Sequence, residues 1–174
     1  MIRLFWTNVA LLIALAVAAG AAVHTPRSID SLPVVYGADS SAIDLLAASD
    51  TTTVVAVRHL GAICSHCVEQ IILLNEYANE FRRRNARVIA FSMDDVDECQ
   101  LAAKEHAIDT DVLQLCYDER DACSRAVGST IQEIDGSFTD LHAVLVIRKR
   151  IVVFEHYSTQ PLMSLGGVFE VLGE

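Results

Sequence analysis

The stretch from Thr51 to Met93 restricts the fold of this chain more than any other. It opens with "TTTVVAVRH" (Thr51–His59), a compact β-branched run that reads as a buried strand. It closes with "RVIAFSM" (Arg87–Met93), a second run of the same kind. Between them, Val68–Arg84 has a helical period: Ile71, Leu74, Ala78 and Phe81 recur at three- and four-residue steps and share one face. Arg82, Arg83 and Arg84 suit the negative end of that helix, and Asn85 suits its cap. Strands alternating with helices imply a parallel sheet whose faces are covered.

The remaining segments extend this frame. Asp94 and Asp95 are placed to cap a helix running to about His106. Asp111–Cys116 reads as a short strand and Arg120–Val127 as a short helix ending at Gly128. Ile131–Ile134 reads as another short strand, followed by a turn at Asp135-Gly136. "HAVLVIRKRIVVFEHY" (His142–Tyr157) is expected to form a hairpin around its polar "RKR", and Gln160–Leu172 the last helix. His24–Asp50 reads as a polar lead-in with one weak helical patch, Ser41–Ala48. The expected fold is α/β, a central mixed sheet with helices on both faces.

Met1–Val23 needs separate treatment. One arginine, Arg3, precedes an apolar run from Val9, and Ala19-Gly20-Ala21 fits an A-x-A cleavage pattern. We read residues 1–21 as a secretory signal, 22–50 as the lead-in and 51–174 as the folded domain. The expected location is therefore periplasmic or extracellular. An uncleaved signal would instead anchor the chain, since Val9–Val23 is near the lower length limit for a span. The formal charge of the 174-residue chain is −10 at pH 7, which argues against nucleic acid and anionic lipid as partners. There are five cysteines, at 64, 67, 99, 116 and 123. An odd number in an exported chain leaves at least one thiol unpaired or reactive.

"HLGAICSHC" places Cys64 and Cys67 three residues apart between the first strand and its helix. At a helix N-terminus, unpaired N–H groups and the helix dipole favour an anion, and the thiolate is the nucleophilic form of cysteine. Residues three apart share a helix face, so the two sulfurs are able to close a small disulfide ring. His66, when protonated, would favour a thiolate further. A closed structural zinc site needs four ligands, and no second pair at zinc spacing appears. We expect neither cofactor nor metal. Two other readings stay open: a metal held through Cys64, His66 and Cys67, and two inert buried thiols.

On these residues the chain resembles the thioredoxin superfamily, and within it the redoxin branch that includes the alkyl hydroperoxide reductase/thiol-specific antioxidant (peroxiredoxin) family. "VVAVRHLGAICSHCVEQI" carries the chemistry, while "RVIAFSMDD" and "LHAVLVIRKRIVVFEHY" carry framework. The resemblance implies a thioredoxin-like fold. In peroxiredoxins the motif is P-x-x-x-T-x-x-C. With Cys67 at the cysteine, Cys64 falls at the Thr, Leu60 at the Pro, and His142 lies nearest the place of the family's peroxide-orienting Arg. The C-S-H-C sequence is also similar to the C-P-H-C of bacterial periplasmic disulfide oxidases, although the superfamily's cis-Pro before a late strand is absent. His142 or Ala143 stands there, which makes His142 a candidate groove residue.

The first functional expectation is thus an exported thiol–disulfide oxidoreductase, with Cys64 exchanging, Cys67 resolving and His66 tuning the thiolate. The alternative is a peroxiredoxin-like thiol peroxidase in which Cys67 is oxidised and Cys64 resolves. A non-catalytic thiol or metal-binding module is the third. Partners would be protein or small-molecule thiols and disulfides, peroxides for the alternative, and an unidentified redox partner. Among the other candidates, His59 is expected at a surface turn, and His106 and His156 in solvent. Cys99 is expected to be a partly buried small residue, with a distant resolving role as the alternative. Cys116 and Cys123 are candidates for a structural disulfide.

Overall fold

The computed structural model describes residues 26–173. The signal sequence read at residues 1–21 lies outside the described residues. Among those described, no helix is long and apolar enough to cross a membrane.

The expected strand–helix–strand unit is present. Strand β4 (Thr53–Arg58) pairs in parallel with β5 (Ala86–Ser92), which pairs in parallel with β6 (Leu113–Tyr117). All six residues of β4 are buried, as a strand covered on both faces requires. The terminal hairpin is β9 (His142–Arg148) and β10 (Ile151–Ser158), with β9 antiparallel to β4. Lys149 and Arg150 make its tight turn with φ of 50° and 64°. Those are glycine-like angles, and the Ser49 carbonyl and hydroxyl hold them by accepting from the Lys149 and Arg150 amides at 2.8 and 3.0 Å.

The segment read as a lead-in contributes strands to the same sheet. It supplies β1 (Arg27–Ser28), β2 (Val35–Gly37), β3 (Ala42–Ile43) and helix α1 (Leu45–Ser49). β2 adds antiparallel to the far edge of β6, and β1 to β10. Val35, Leu45 and Leu46 are core residues. The eight-stranded order is β1-β10-β9-β4-β5-β6-β2-β3. A separate two-stranded ribbon pairs β7 (Thr130–Gln132) with β8 (Phe138–Asp140) around the expected Asp135-Gly136 turn.

The long helix differs from the expected Val68–Arg84 at its start and in its middle. It begins at Ser65, because Cys64 caps it, and breaks at Tyr77 into α2 (Ser65–Glu76) and α3 (Ala78–Arg83). Near the break Asn75 is tied sideways, accepting from the Asp109 amide at 2.8 Å and donating to the Ala107 carbonyl at 3.3 Å. Helix α4 (Val96–Glu105) begins with a complete capping box between Asp95 and Glu98. Helix α5 (Ala122–Val127) ends at Gly128, whose φ of 86° suits a left-handed cap. The last helix, α6 (Gly166–Leu172), is shorter than Gln160–Leu172.

Two apolar layers result. Ile71, Leu74, Phe81, Cys99, Val168 and Leu172 join Val55, Val57, Val88 and Val146 on one face. Leu45, Leu46, Cys123 and Val127 join Val54, Ala56, Ile89 and Phe91 on the other. Burying each large aliphatic or aromatic side chain contributes roughly 1.5–3 kcal/mol, so these layers fix the sheet register. That register pairs Arg58 with Ala143 and sets His142, the first residue of β9, beside the exit of β4.

Candidate active site

β4 ends at Arg58, and the chain turns through His59–Ile63 into α2. Gly61 makes that turn possible. Its φ is 90°, and a Cβ there would lie 2.4 Å from Asp94 Oδ1. Asp94 accepts the Ala62 N–H at 2.8 Å through Oδ2, which ties the loop to the end of β5. Cys64 follows with extended backbone, φ −94° and ψ 102°, and its sulfur accepts the Cys67 N–H at 3.3 Å. A thiol sulfur thus occupies the place that Ser, Thr or Asp commonly takes at a helix start.

The two sulfurs have different surroundings. Cys64 is half-buried and Cys67 is fully buried. The Cys67 sulfur accepts the Leu60 N–H at 3.4 Å and lies 3.2 Å from His142 Nε2. Cys64 Sγ lies 4.0 Å from the same nitrogen. Burial pushes the Cys67 thiol up to about 12; the Cys64 side chain adds to the rise, and the Leu60 N–H and the Arg58 charge oppose it. Burial lowers His142 below its ordinary value, the Arg58 and His66 charges reinforce this, and the backbone at Ser158 and Thr159 resists it. Burial thus disfavours the charged form of both groups, and a thiol facing an imidazole is the arrangement in which a base is able to take the nucleophile's proton.

His66 is exposed, and no hydrogen bond joins it to either sulfur. It acts on His142 through charge alone. His59 is buried, against the expectation of a surface turn. Its amide continues the β4–β5 ladder to the Phe91 carbonyl, which pulls the residue inward. Burial pushes its ring down to about 3, and the Arg58 and His142 charges add to that. Its Nδ1 accepts the Gly61 N–H at 3.3 Å, whereas Nε2 has no partner.

A cavity of about 430 Å³ opens beside Cys67. His59, Cys67, Val68, Ile71, Cys99, Ala102 and Leu115 line it, with Asp94, Glu98, Glu105 and His106 among its polar groups. Cys99 is buried on α4, and its thiol donates to the Asp94 carbonyl at 3.6 Å. Burial, then Asp94, Asp95 and Glu98, raise that thiol to about 12. Cys116 and Cys123, candidates for a disulfide, are buried free thiols on the opposite face. Sequence reasoning singled out Cys64, Cys67 and His142, and the fold brings these three together. It missed the burial of His59 and the part played by Asp94. The glycine three residues before Cys64 was the available signal for the tight loop.

The AhpC/TSA family matches residues 32–156, well over half of the chain. No curated protein matches the sequence. Solved structures of similar fold include peroxiredoxin Q of Xylella fastidiosa, 14% identical, covering 88% of this chain and 95% of that one with a TM-score of 0.70. The bacterioferritin comigratory protein of Xanthomonas campestris is 15% identical, covering 84% and 95% with a TM-score of 0.68. The peroxidoxin BcpB of Mycobacterium tuberculosis is 18% identical, covering 76% and 86% with a TM-score of 0.64.

Proposed function

Because this chain belongs to the AhpC/TSA family, we propose that it is a peroxiredoxin-like thiol peroxidase in which Cys67 attacks the peroxide and Cys64 resolves. The observation that carries this reading is the contact of 3.2 Å between Cys67 Sγ and His142 Nε2, beside a cavity able to admit a substrate. Nε2 takes the thiol proton against the effect of burial, which favours the protonated thiol, and leaves the thiolate that attacks. The sulfur attacks the terminal peroxide oxygen. The O–O bond breaks, and the leaving oxygen collects the proton from His142 as water or alcohol. Cys67 is left as a sulfenic acid. The Cys64 thiol condenses with it, forming the disulfide and releasing water. Two external thiols then reduce the pair: the first forms a mixed disulfide at the more exposed Cys64 and frees the Cys67 thiol, and the second frees Cys64 as the two leave joined as a disulfide. The Pro, Thr and Arg of the peroxiredoxin motif are replaced here by Leu60, Cys64 and His142. The imidazole and the Leu60 N–H therefore carry the work of stabilising developing charge. His66 contributes a nearby charge, and the apolar Val9–Val23 run supports export of the chain.

A short pulse of dilute peroxide on the reduced chain, quenched by a thiol-blocking reagent and read cysteine by cysteine by mass spectrometry, tests this. The expected product is a Cys64–Cys67 disulfide within seconds, and a sulfenic acid on Cys67 in Cys64→Ser. Oxidation no faster than that of free cysteine would remove the proposal.

A second reading, thiol–disulfide exchange, draws on the half-exposure of Cys64 and on Ile63 beside it, which is 97% exposed and available to a protein partner. Rapid exchange with a disulfide-bonded peptide, alongside slow peroxide consumption, would favour it.

A further inference from the structure

The same three side chains form a donor set with a second use. Cys64 Sγ, Cys67 Sγ and His142 Nε2 all lie within 4.8 Å of one another. They come from two elements, the α2 start and the first residue of β9, so the sheet holds the set together. We propose that the reduced protein binds one Cu(I) ion through these two thiolates and this imidazole.

The geometry suits an ion between them. With metal–sulfur bonds of about 2.3 Å and metal–nitrogen bonds of about 2.0 Å, as at zinc, a three-coordinate ion sets sulfur and nitrogen roughly 3.7 Å apart. The observed distances of 3.2 and 4.0 Å bracket that value, and a small rotation of the Cys64 side chain evens them. Two thiolates and an imidazole form a soft set, which excludes magnesium and calcium. Among the described residues no fourth Cys, His, Asp or Glu joins the group, so a closed four-ligand zinc site is not built. A cuprous ion is satisfied by three soft donors. Cys67 is wholly buried, His142 is 3% exposed and Cys64 is half-buried, so two of the three donors lie out of solvent. Binding releases the two thiol protons. Forming the Cys64–Cys67 disulfide consumes both thiolates, so copper occupancy and the oxidised state exclude one another.

The test uses the full reduced chain under anaerobic conditions, with Cu(I) presented on a chromophoric Cu(I) chelator. One equivalent is expected to pass to the protein. Oxidation by diamide to the Cys64–Cys67 disulfide should abolish uptake, and reduction should restore it. X-ray absorption of the loaded wild-type protein should show two sulfur neighbours and one imidazole nitrogen, a readout that needs no variant. His142→Ala should weaken binding on the order of tenfold or more, at least the loss seen when a supporting residue is removed. No transfer from the chelator, unchanged uptake by the disulfide form, a spectrum with sulfur neighbours only, or expulsion by equimolar Zn²⁺ would each overturn the site. The proposal is independent of the peroxide reading: diamide makes the disulfide, so failure of copper binding and failure of peroxide turnover are observed separately.

Discussion

Two loops of this molecule share one plan and differ in what they do. The strands that flank β5, β4 and β6, each lead through a loop into the start of a helix that carries a buried cysteine, Cys67 on α2 and Cys123 on α5. The residue after each strand is buried and donates its amide to β5: His59 to the Phe91 carbonyl at 3.1 Å, and Asp118 to the Ser92 carbonyl at 2.7 Å. Burial raises both thiols to about 12. Beyond this the loops part. Asp118 fills the α5 start, accepting from the Cys123 and Ser124 amides at 2.8 Å each and from the Ser124 hydroxyl at 2.6 Å. At α2 a sulfur caps the amide, an imidazole faces the buried thiol, and the His59 Nε2 is unpartnered. A buried polar group with all its partners holds structure, whereas one left short of partners retains capacity for chemistry.

The largest effect expected from this contrast is on activity. Cys67→Ser should abolish peroxide consumption, while Cys123→Ser should leave it unchanged; loss in both would erase the distinction between the loops. Next is acid stability. The folded His59 titrates near 3, below its ordinary value of 6.5, so the unfolded chain binds the extra proton between those values. Stability is full above about 6.5 and falls as pH drops towards 3, by on the order of 4 kcal/mol from this residue. Denaturant midpoints against pH, compared with His59→Phe, measure this, and parallel curves would refute it. Asp118→Ala should cost about 3 kcal/mol, since it strands buried donors at the α5 start. Cys64→Ala, which removes the weaker sulfur cap at α2, should cost about 1 kcal/mol or less. Equal losses by chemical denaturation would show that the two caps are equivalent.

His142→Gln probes the catalytic side of the same contrast. Removing the base should lower the peroxide rate by roughly 10²-fold. In the wild type the rate should climb with pH as His142 loses its proton, below its ordinary value because burial disfavours the charged ring, and then level off. A stopped-flow pH profile of both proteins checks this, and a rise that persists in the variant would assign it to another group.

Much of the frame was legible in the chain. β4, β5, α4 and the terminal hairpin follow from local periodicity and capping residues, since these act within a few positions along the sequence. Of the Arg27–Ser49 segment only the weak helical patch Ser41–Ala48 was legible, and it overlaps α1. Its strands are two or three residues long, and Val35, Leu45 and Leu46 become core only where β2 and α1 meet the sheet. His59 was misread for a related reason: nothing near it marks burial, which comes from pairing with β5 and from α2 closing over the loop.

By itself, the sequence determined that a dithiol would sit where a buried strand gives way to an amphipathic helix, because residue spacing and helix capping are local properties. Which sulfur is buried, and which histidine meets it, was decided by tertiary structure alone. His142 lies 75 residues from Cys67 along the chain, and only the antiparallel register of β9 on β4, fixed by the two apolar layers, brings Nε2 to the sulfur.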